Sequence, residues 1–288
     1  AVLRLPIVFF IAALAVGSAF NVLWASRALY RRGIRPSFLW NPRASGRIFS
    51  VALPFALAGI FAKVYSYIDT VLLASFKDHY VVGIYSVPYK ITYAFQFFPM
   101  ALSAALFPAL SSEYKKNSDS FRDLFIHGLN LMAVLVMPII GGIIALAPEI
   151  LIDIFGSAYA PSLAPLRISI FGLLFIFLYY PAGALLNASD RQGFNTAFLG
   201  ISMASNILLN LFLIPRSGAV GASIAAVLTN ALLFGMAFAT AIKVIKWPRG
   251  FLSHILKTIF AALVMAFAVS ELKTFMPWIF TLPLGAGL

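Results

Sequence analysis

Charged side chains inside apolar segments are the residues of this chain best suited to do chemistry. Lys63, Lys90 and Arg167 lie within long apolar stretches, and Asp69 lies in the same stretch as Lys63. An ionised side chain at the centre of a bilayer costs roughly 2.5–3.5 kcal/mol even on the lenient insertion scale, so such groups normally face protein or a wet cavity. Because three bases accompany one acid, we expect this region to attract an anionic ligand.

Helical spacing puts these groups on defined faces. Tyr67 and Thr70 follow Lys63 by four and seven residues and share its face, whereas Asp69 lies on a second face. Lys90 is expected roughly 13 Å into the next helix, at 1.5 Å per residue, close to the depth of Asp69 on its antiparallel neighbour. We predict that Asp69 either pairs with Lys90 and fixes the two helices or has an ion-coupling role.

The basic residues differ as candidates for ligand binding. Lys63 has no partner that the sequence identifies, so it is the first candidate, and Lys90 is the second. Arg167 lies only about four residues from the end of its apolar segment, where snorkelling toward the interface also explains it.

Amide and hydroxyl groups form a stripe along one later segment. Asn195, Ser202, Asn206 and Asn210 recur at helical spacings. Two interpretations stay open: hydrogen bonds between helices, or a cavity wall that contacts sugar hydroxyls.

Motifs for enzyme chemistry are missing from the sequence. It contains no cysteine and has only three histidines, scattered along the chain, so we expect no metal site. We find no nucleophile–base pair, no phosphate-binding glycine loop, and therefore no catalytic residue or cofactor. A membrane-embedded glycosyl- or acyltransferase would need reactive clusters on a sizeable loop. The longest outer loop, residues 148–162, carries only two acids and is predicted to be an interfacial segment.

The elements that carry these residues are apolar helices. Hydrophobic residues make up 62% of the chain and charged residues 10%, with a mean hydropathy of +0.96, which indicates an integral membrane protein. A crossing requires about 20 apolar residues. The sequence predicts an all-α, polytopic transmembrane bundle of about eight full spans, at residues 6–23, 51–74, 81–107, 125–146, 163–186, 194–214, 220–242 and 256–269. A truncated ninth span begins near residue 278.

The net charge of +12 reflects membrane topology. Most loop Lys and Arg residues fall on one side, above all in the loop after the first span, which carries Arg27, Arg31, Arg32, Arg35, Arg43 and Arg47. Positive loops stay cytoplasmic, so we predict that this loop is cytoplasmic and that no nucleic acid is bound. The chain starts with Ala and stops inside an apolar stretch, and we interpret it as a fragment of a longer protein.

Several stretches resemble a known transporter family. They are YIDTVLLASF (67–76), VGIYSVPYKI (82–91), FPALS (107–111), ILIDIFGSAYAPSLAPLRI (150–168) and the Asn-rich run with its Pro/Gly loop at 184–230. In order and spacing they are similar to polysaccharide and oligosaccharidyl-lipid flippases, such as O-antigen translocases, of the multidrug/oligosaccharidyl-lipid/polysaccharide exporter superfamily.

The resemblance implies two six-helix lobes around a central cavity. Residues 1–47 would hold the last helix of the N-terminal lobe and the basic cytoplasmic loop. Residues 48–245 would be the complete C-terminal lobe, and residues 246–288 extra helices that are cut short. The rest of the N-terminal lobe would be missing from this chain.

The resemblance also implies an activity. An undecaprenyl-diphosphate-linked oligosaccharide would move across the bacterial inner membrane by alternating access, driven by an ion gradient or by the membrane potential. Substrate-binding candidates on this chain are Lys63, Lys90, Arg167, Tyr67, Asn206 and Asn210. A cation-coupled multidrug antiporter of the same superfamily is the alternative, which one acid against three bases disfavours.

Overall fold

Every regular element in the described part of the chain is helical. The computed structural model describes residues 7–33, 42–245 and 251–275. The helices are α1 (Ile7–Arg31), α2 (Pro42–Phe76), α3 (His79–Phe95), α4 (Phe97–Glu113), α5 (Ser118–Glu149), α6 (Leu163–Ala188), α7 (Gln192–Ile245) and α8 (Phe251–Phe275). The all-α fold class predicted from the sequence is confirmed.

The chain forms two compact units. The first comprises Ala1–Ser50 and holds α1; the second comprises Val51–Leu288 and holds all the packed helices described below. The domain limits predicted from the sequence, at 47/48 and 245/246, stay predictions.

Among the described residues, five helical stretches are long and apolar enough to cross a membrane. They are Ile48–Phe76, His79–Glu113, Ser118–Phe155, Ser157–Ala188 and Gln192–Ile245. α1 and α8 coincide with the first and eighth predicted spans, but the number of crossings stays a prediction. The predicted ninth span, from residue 278, lies outside the described residues.

The long helix α7 is a hairpin of two antiparallel halves. Its backbone leaves helical geometry at Gly218, where φ is 52° and ψ is −128°, a conformation that glycine adopts without a steric penalty. Asn206 and Thr229 are hydrogen-bonded at 3.3 Å, although a straight helix would separate them by roughly 35 Å at 1.5 Å per residue. The two helices predicted at 194–214 and 220–242, with a short turn between them, are therefore present.

Helix α6 lies at the centre of the second unit. It packs against α3, α4, α5 and α7, and its side chains Phe177 and Leu173 are fully buried. Ser162, directly before α6, donates to the carbonyl oxygen of Ile84 at 2.8 Å and ties α6 to α3. α6 thereby positions α3 and α7, two of the helices that surround the cavity described next.

The segment between α5 and α6 is helical but irregular. A π-helical turn (Ile150–Phe155) and a 3-10 turn (Ser157–Ser162) meet at Gly156, whose φ is 96°. Ile152 and Ile154 are exposed there. Its predicted place at the membrane interface stays a prediction.

Candidate functional site

A polar, aromatic cavity lies between α2, α3, α6 and α7. Its volume is about 170 Å³. Tyrosines from three helices dominate its walls, because the cavity faces of α2, α3 and α6 carry Tyr65, Tyr85, Tyr89, Tyr93, Tyr179 and Tyr180. A cavity lined by aromatic rings and hydroxyl groups inside a bundle of apolar helices is the candidate functional site.

Asp69 lines one end of this cavity. Its side chain is only 6% exposed. The hydroxyl of Tyr85 donates to Oδ2 at 2.8 Å, and Nδ2 of Asn210 donates to Oδ1 at 2.6 Å. α2, α3 and α7 therefore converge on one carboxyl group.

The structure does not pair Asp69 with Lys90, which was one of the two alternatives that the sequence left open. Tyr85 and Asn210 occupy the positions beside the carboxyl group, and Lys90 is exposed. The reason is helical geometry: Lys90 follows Tyr85 by five residues, about 140° further round α3. The matched depth inferred from the sequence could not reveal this difference in direction.

A hydrogen-bonded chain connects Asp69 to both halves of α7. Asn210 donates to Oδ1 of Asn206 at 3.0 Å, and Asn206 reaches Oγ1 of Thr229 at 3.3 Å. The hydroxyl of Tyr65 approaches Thr229 at 2.8 Å and donates to Oδ1 of Asn230 at 2.6 Å. These groups bond to one another between α2 and the two halves of α7, as is usual for buried polar groups, and only Oδ1 of Asn210 among their side-chain oxygens is buried without a partner.

The two asparagines proposed as substrate contacts lie behind the cavity wall. Asn206 and Asn210 are fully buried and belong to the hydrogen-bonded chain. Asn195 is likewise engaged, with Tyr179 at 3.0 Å and Asn187 at 3.2 Å. For these three members of the polar stripe, the structure shows hydrogen bonding within the bundle.

The cavity contains no compensating cation. Among the described residues, none that lines it is Lys, Arg or His, and the donors to Asp69 are uncharged. Groups of His, Cys, Asp and Glu that could hold a metal are also lacking in the described ranges. Asp69 is thus a buried carboxyl group held only by neutral hydrogen bonds.

The predicted basic residues lie elsewhere on the second unit. Lys63, Lys90 and Arg167 are all exposed, and Tyr67 is 53% exposed. Lys63 lies about 100° round α2 from Ala62, which faces the cavity. The structure therefore does not bring the bases together with Asp69, and their role in binding an anion stays a prediction.

The sequence reasoning missed the tyrosine wall. Tyr85, Tyr89 and Gln96, with Thr92 and Tyr93, line the cavity from α3, and they recur at spacings of three and four residues. That is the signature of one helical face. Attention to this stripe would have located the cavity, whereas attention to charge alone led to the exposed lysines.

Comparison with known proteins finds a family whose match covers more than half of this chain. The family described as "Polysaccharide biosynthesis protein" matches residues 5–164. A probable flippase of Haloferax volcanii, AglR, is 30% identical over 176 residues, which are 58% of this chain and 36% of that protein. The probable low-salt glycan biosynthesis flippase Agl15 of the same organism is 25% identical over 76% of this chain and 46% of its own length.

A solved structure shares the fold. The lipid II flippase MurJ, in an inward closed conformation, superposes with a TM-score of 0.68 at 16% identity, over 90% of this chain and 56% of that one. The chain thus spans less than half of the two curated relatives and about half of this structure. Since the family match covers more than half of its residues, the chain belongs to the polysaccharide biosynthesis protein family, and the resemblance to flippases seen in its sequence is confirmed.

Proposed function

We propose that this chain forms one lobe of a transporter that moves a lipid-diphosphate-linked oligosaccharide across a membrane by alternating access. The observation that carries the proposal is the polar, tyrosine-lined cavity enclosed by membrane-spanning helices. A glycan cannot cross hydrocarbon without losing its hydrogen bonds with water, and each unsatisfied group costs several kcal/mol. A polar cavity that opens to each side in turn removes that barrier.

The exposed bases fit the anionic part of such a substrate. We assign Lys63, Lys90 and Tyr67 to a surface that faces a second, N-terminal lobe, and Arg167 to a more distant contact. The motivation is their exposure on helices long and apolar enough to span a membrane, where a charge facing lipid would be expensive. Lysine binds a diphosphate as a point charge, and arginine can do so in bidentate fashion.

Asp69 is proposed as the residue that couples transport to a cation. A buried carboxyl group normally has a charged partner or takes up a proton or metal ion, and here its donors are the uncharged Tyr85 and Asn210. The membrane potential is the second candidate energy source, because an anion moving outward gains about 2.3 kcal/mol per charge per 100 mV. The proposed location is a bacterial inner membrane, with the basic loop after α1 in the cytoplasm.

Reconstitution of the full-length protein in liposomes tests this function. A fluorescent lipid-diphosphate-linked oligosaccharide is placed in both leaflets, and translocation is followed through quenching by an impermeant reductant. Lys63→Ala and Lys90→Ala are each expected to slow translocation about tenfold, the equivalent of one charge-assisted contact. Lys116→Ala is the matched control, because Lys116 is an exposed lysine in the α4–α5 loop.

Three results decide between the alternatives. Failure of the wild-type protein to translocate any lipid-linked glycan, together with export of a lipophilic cation, would establish the multidrug antiporter instead. Equal rates for Lys63→Ala and Lys116→Ala would remove Lys63 from the site. Asp69→Asn is expected to abolish stimulation by a Na⁺ or proton gradient, and an unchanged gradient dependence would leave the membrane potential as the energy source.

A further inference from the structure

We propose that the end of the cavity nearest Gln96 binds one uncharged sugar ring of the glycan, while the diphosphate lies outside this cavity. The inference rests on the proposed function and deepens it, because it divides the substrate between two parts of one lobe. It depends on the charges that line the cavity, on the tyrosine hydroxyls that lack partners, and on the size of the space.

Charge excludes the diphosphate from the cavity. Among the described residues that line the cavity, Asp69 is the only carboxylic acid, and none is a base. A diphosphate there would face a carboxyl group at close range in a medium of low dielectric, which is strongly unfavourable. A polyhydroxy ligand without charge meets no such penalty.

The cavity tyrosines divide into two groups by their hydrogen bonds. Near Asp69, the hydroxyls of Tyr65 and Tyr85 are committed to protein partners. The hydroxyl of Tyr179, which precedes Tyr180 in α6, is also committed, because it bonds to Asn195. These groups hold the bundle together and are poorly placed to serve a ligand.

Four other polar side chains of the cavity are unpartnered. Within the described ranges, the side-chain hydroxyls of Tyr89, Tyr93 and Tyr180 and the amide of Gln96 have no hydrogen-bond partner, although all four residues line the cavity. At 1.5 Å per residue, Tyr93 and Gln96 lie about 12 Å and about 16 Å beyond Tyr85 along α3, and Tyr89 lies between. Tyr93 and Gln96 therefore offer free polar groups at the end remote from Asp69.

Aromatic faces complete the match to a sugar. Tyr89 and Tyr93 stack with centroids 5.8 Å apart and an interplanar angle of 20°, and Leu173 and Ile176 add apolar surface. A pyranose ring has C–H groups on its faces and hydroxyl groups round its edge. Flat apolar side chains can pack against the C–H groups, while polar side chains at the margin of the cavity can bond to the hydroxyl groups. Pockets that fix a ligand commonly combine such apolar walls with a few placed polar groups.

The cavity has room for a sugar ring. Its volume of about 170 Å³ is many times the roughly 10–15 Å³ that one water molecule requires on the same measure. Tyr93, at the rim, is 51% exposed, so the remaining glycan and its lipid can extend outward past it. The diphosphate then lies on the exposed surface, where the lysines are.

A lipophilic cation is the competing ligand, since aromatic side chains also bind cations. The observations favour the sugar, because the carboxyl group that would balance a cation is at the opposite end of the cavity and already accepts two hydrogen bonds. The experiment below includes the cation as a probe.

Saturation-transfer NMR on the full-length protein in detergent micelles tests the proposal. The probes are methyl glycosides of glucose, galactose, mannose and N-acetylglucosamine, with inorganic pyrophosphate and tetraphenylphosphonium as the charged comparisons. We expect at least one glycoside to bind, and we expect Tyr93→Leu and Tyr180→Leu each to weaken it about fivefold or more, the effect of losing one hydrogen bond. Tyr80→Leu is the matched control, since Tyr80 is 60% exposed on the same helix α3 and does not line the cavity.

The outcomes separate this inference from the proposed function. Three results would overturn the sugar site. The first is that no glycoside binds, and the second is that Tyr93→Leu and Tyr80→Leu bind a glycoside equally well. The third is that Tyr93→Leu loses only the pyrophosphate or the tetraphenylphosphonium signal. Each variant's thermal midpoint is measured beside wild type, and Tyr93→Phe, which removes only the hydroxyl, replaces any variant that does not fold. If the sugar site fails while the liposome assay still shows translocation, the proposed function stands without it.

Discussion

The hydrogen bond from Tyr85 to Asp69 allows the strongest quantitative prediction about this fold. Tyr85→Phe removes one hydroxyl and keeps the ring, so the packing of α3 is preserved. The lost bond is 2.8 Å long and ends on a carboxyl group that is 6% exposed. Asn210 is its other donor, so the variant leaves Asp69 with half of its protein partners.

The expected magnitude lies between two general values. Hydrogen bonds to charged groups contribute roughly 1.5–3 kcal/mol, whereas hydrogen bonds between membrane helices average about 0.6 kcal/mol and reach about 1.7. The buried carboxyl group favours the upper membrane value, about 1.5 kcal/mol. With about 2–4 °C per kcal/mol for a protein of 150–250 residues, the midpoint of thermal unfolding should fall by about 3–6 °C.

A double-mutant cycle isolates this interaction. Thermal midpoints are measured in detergent for Tyr85→Phe, Asp69→Asn and the double variant, with Tyr80→Phe as the control for an exposed tyrosine on the same helix. If the bond is the cause, Tyr85→Phe costs distinctly less in the Asp69→Asn background. Equal effects of Tyr85→Phe and Tyr80→Phe, or fully additive effects, would refute the role given to this pair.

Three further changes test the packing around the site. A Cβ on Gly221 would contact the carbonyl oxygen of Leu213 and lie 2.7 Å from its carbonyl carbon. Gly221→Ala should therefore destabilise the protein by about 1–3 kcal/mol or more and lower the thermal midpoint. Gly235→Ala is the control and should leave the midpoint unchanged, because open space surrounds Gly235. Ser162→Ala loses the buried hydrogen bond to the carbonyl oxygen of Ile84 and should cost about 1 kcal/mol of stability. Ser112→Ala is the control, because the hydrogen bond of Ser112 is exposed. Equal thermal midpoints for the two variants would show that the Ser162 bond does not stabilise the contact between α6 and α3. Lys115 and Asp190 form an ion pair at 3.6 Å, with side chains 81% and 75% exposed. Such an exposed pair should contribute at most about 1 kcal/mol to stability. A fall of many degrees in the thermal midpoint of Lys115→Ala would contradict this expectation.

Much of the fold could be predicted because hydrophobic length is a strong signal in a membrane. The segments at 194–214 and 220–242 were separated by a short run with Pro215 and Gly218, and the structure turns at Gly218. Resemblance to flippases came from motifs spread along the chain and was confirmed by the family match. These features depend on local sequence, which a single chain displays directly.

The site was harder to predict because it depends on which helix faces meet. The sequence singles out Asp69 as an acid in an apolar segment, but it offers Lys90 as a partner from depth alone. Depth follows from counting residues, whereas direction depends on how α2, α3 and α7 rotate against each other. Sequence periodicity constrains that rotation weakly for helices that are apolar on most faces. In the structure Asn210, from the polar stripe of α7, lies beside Asp69 instead.

Under the proposed function, the separation of charges lets one lobe serve an amphipathic substrate. A base inside the cavity beside Asp69 would form an ion pair with it and would leave no site for an anion. The structure instead has Lys63 and Lys90 exposed and Asp69 buried. The diphosphate, the sugar and a coupling cation would then each meet a different group, so the opposite charges of the diphosphate and the cation would not cancel each other.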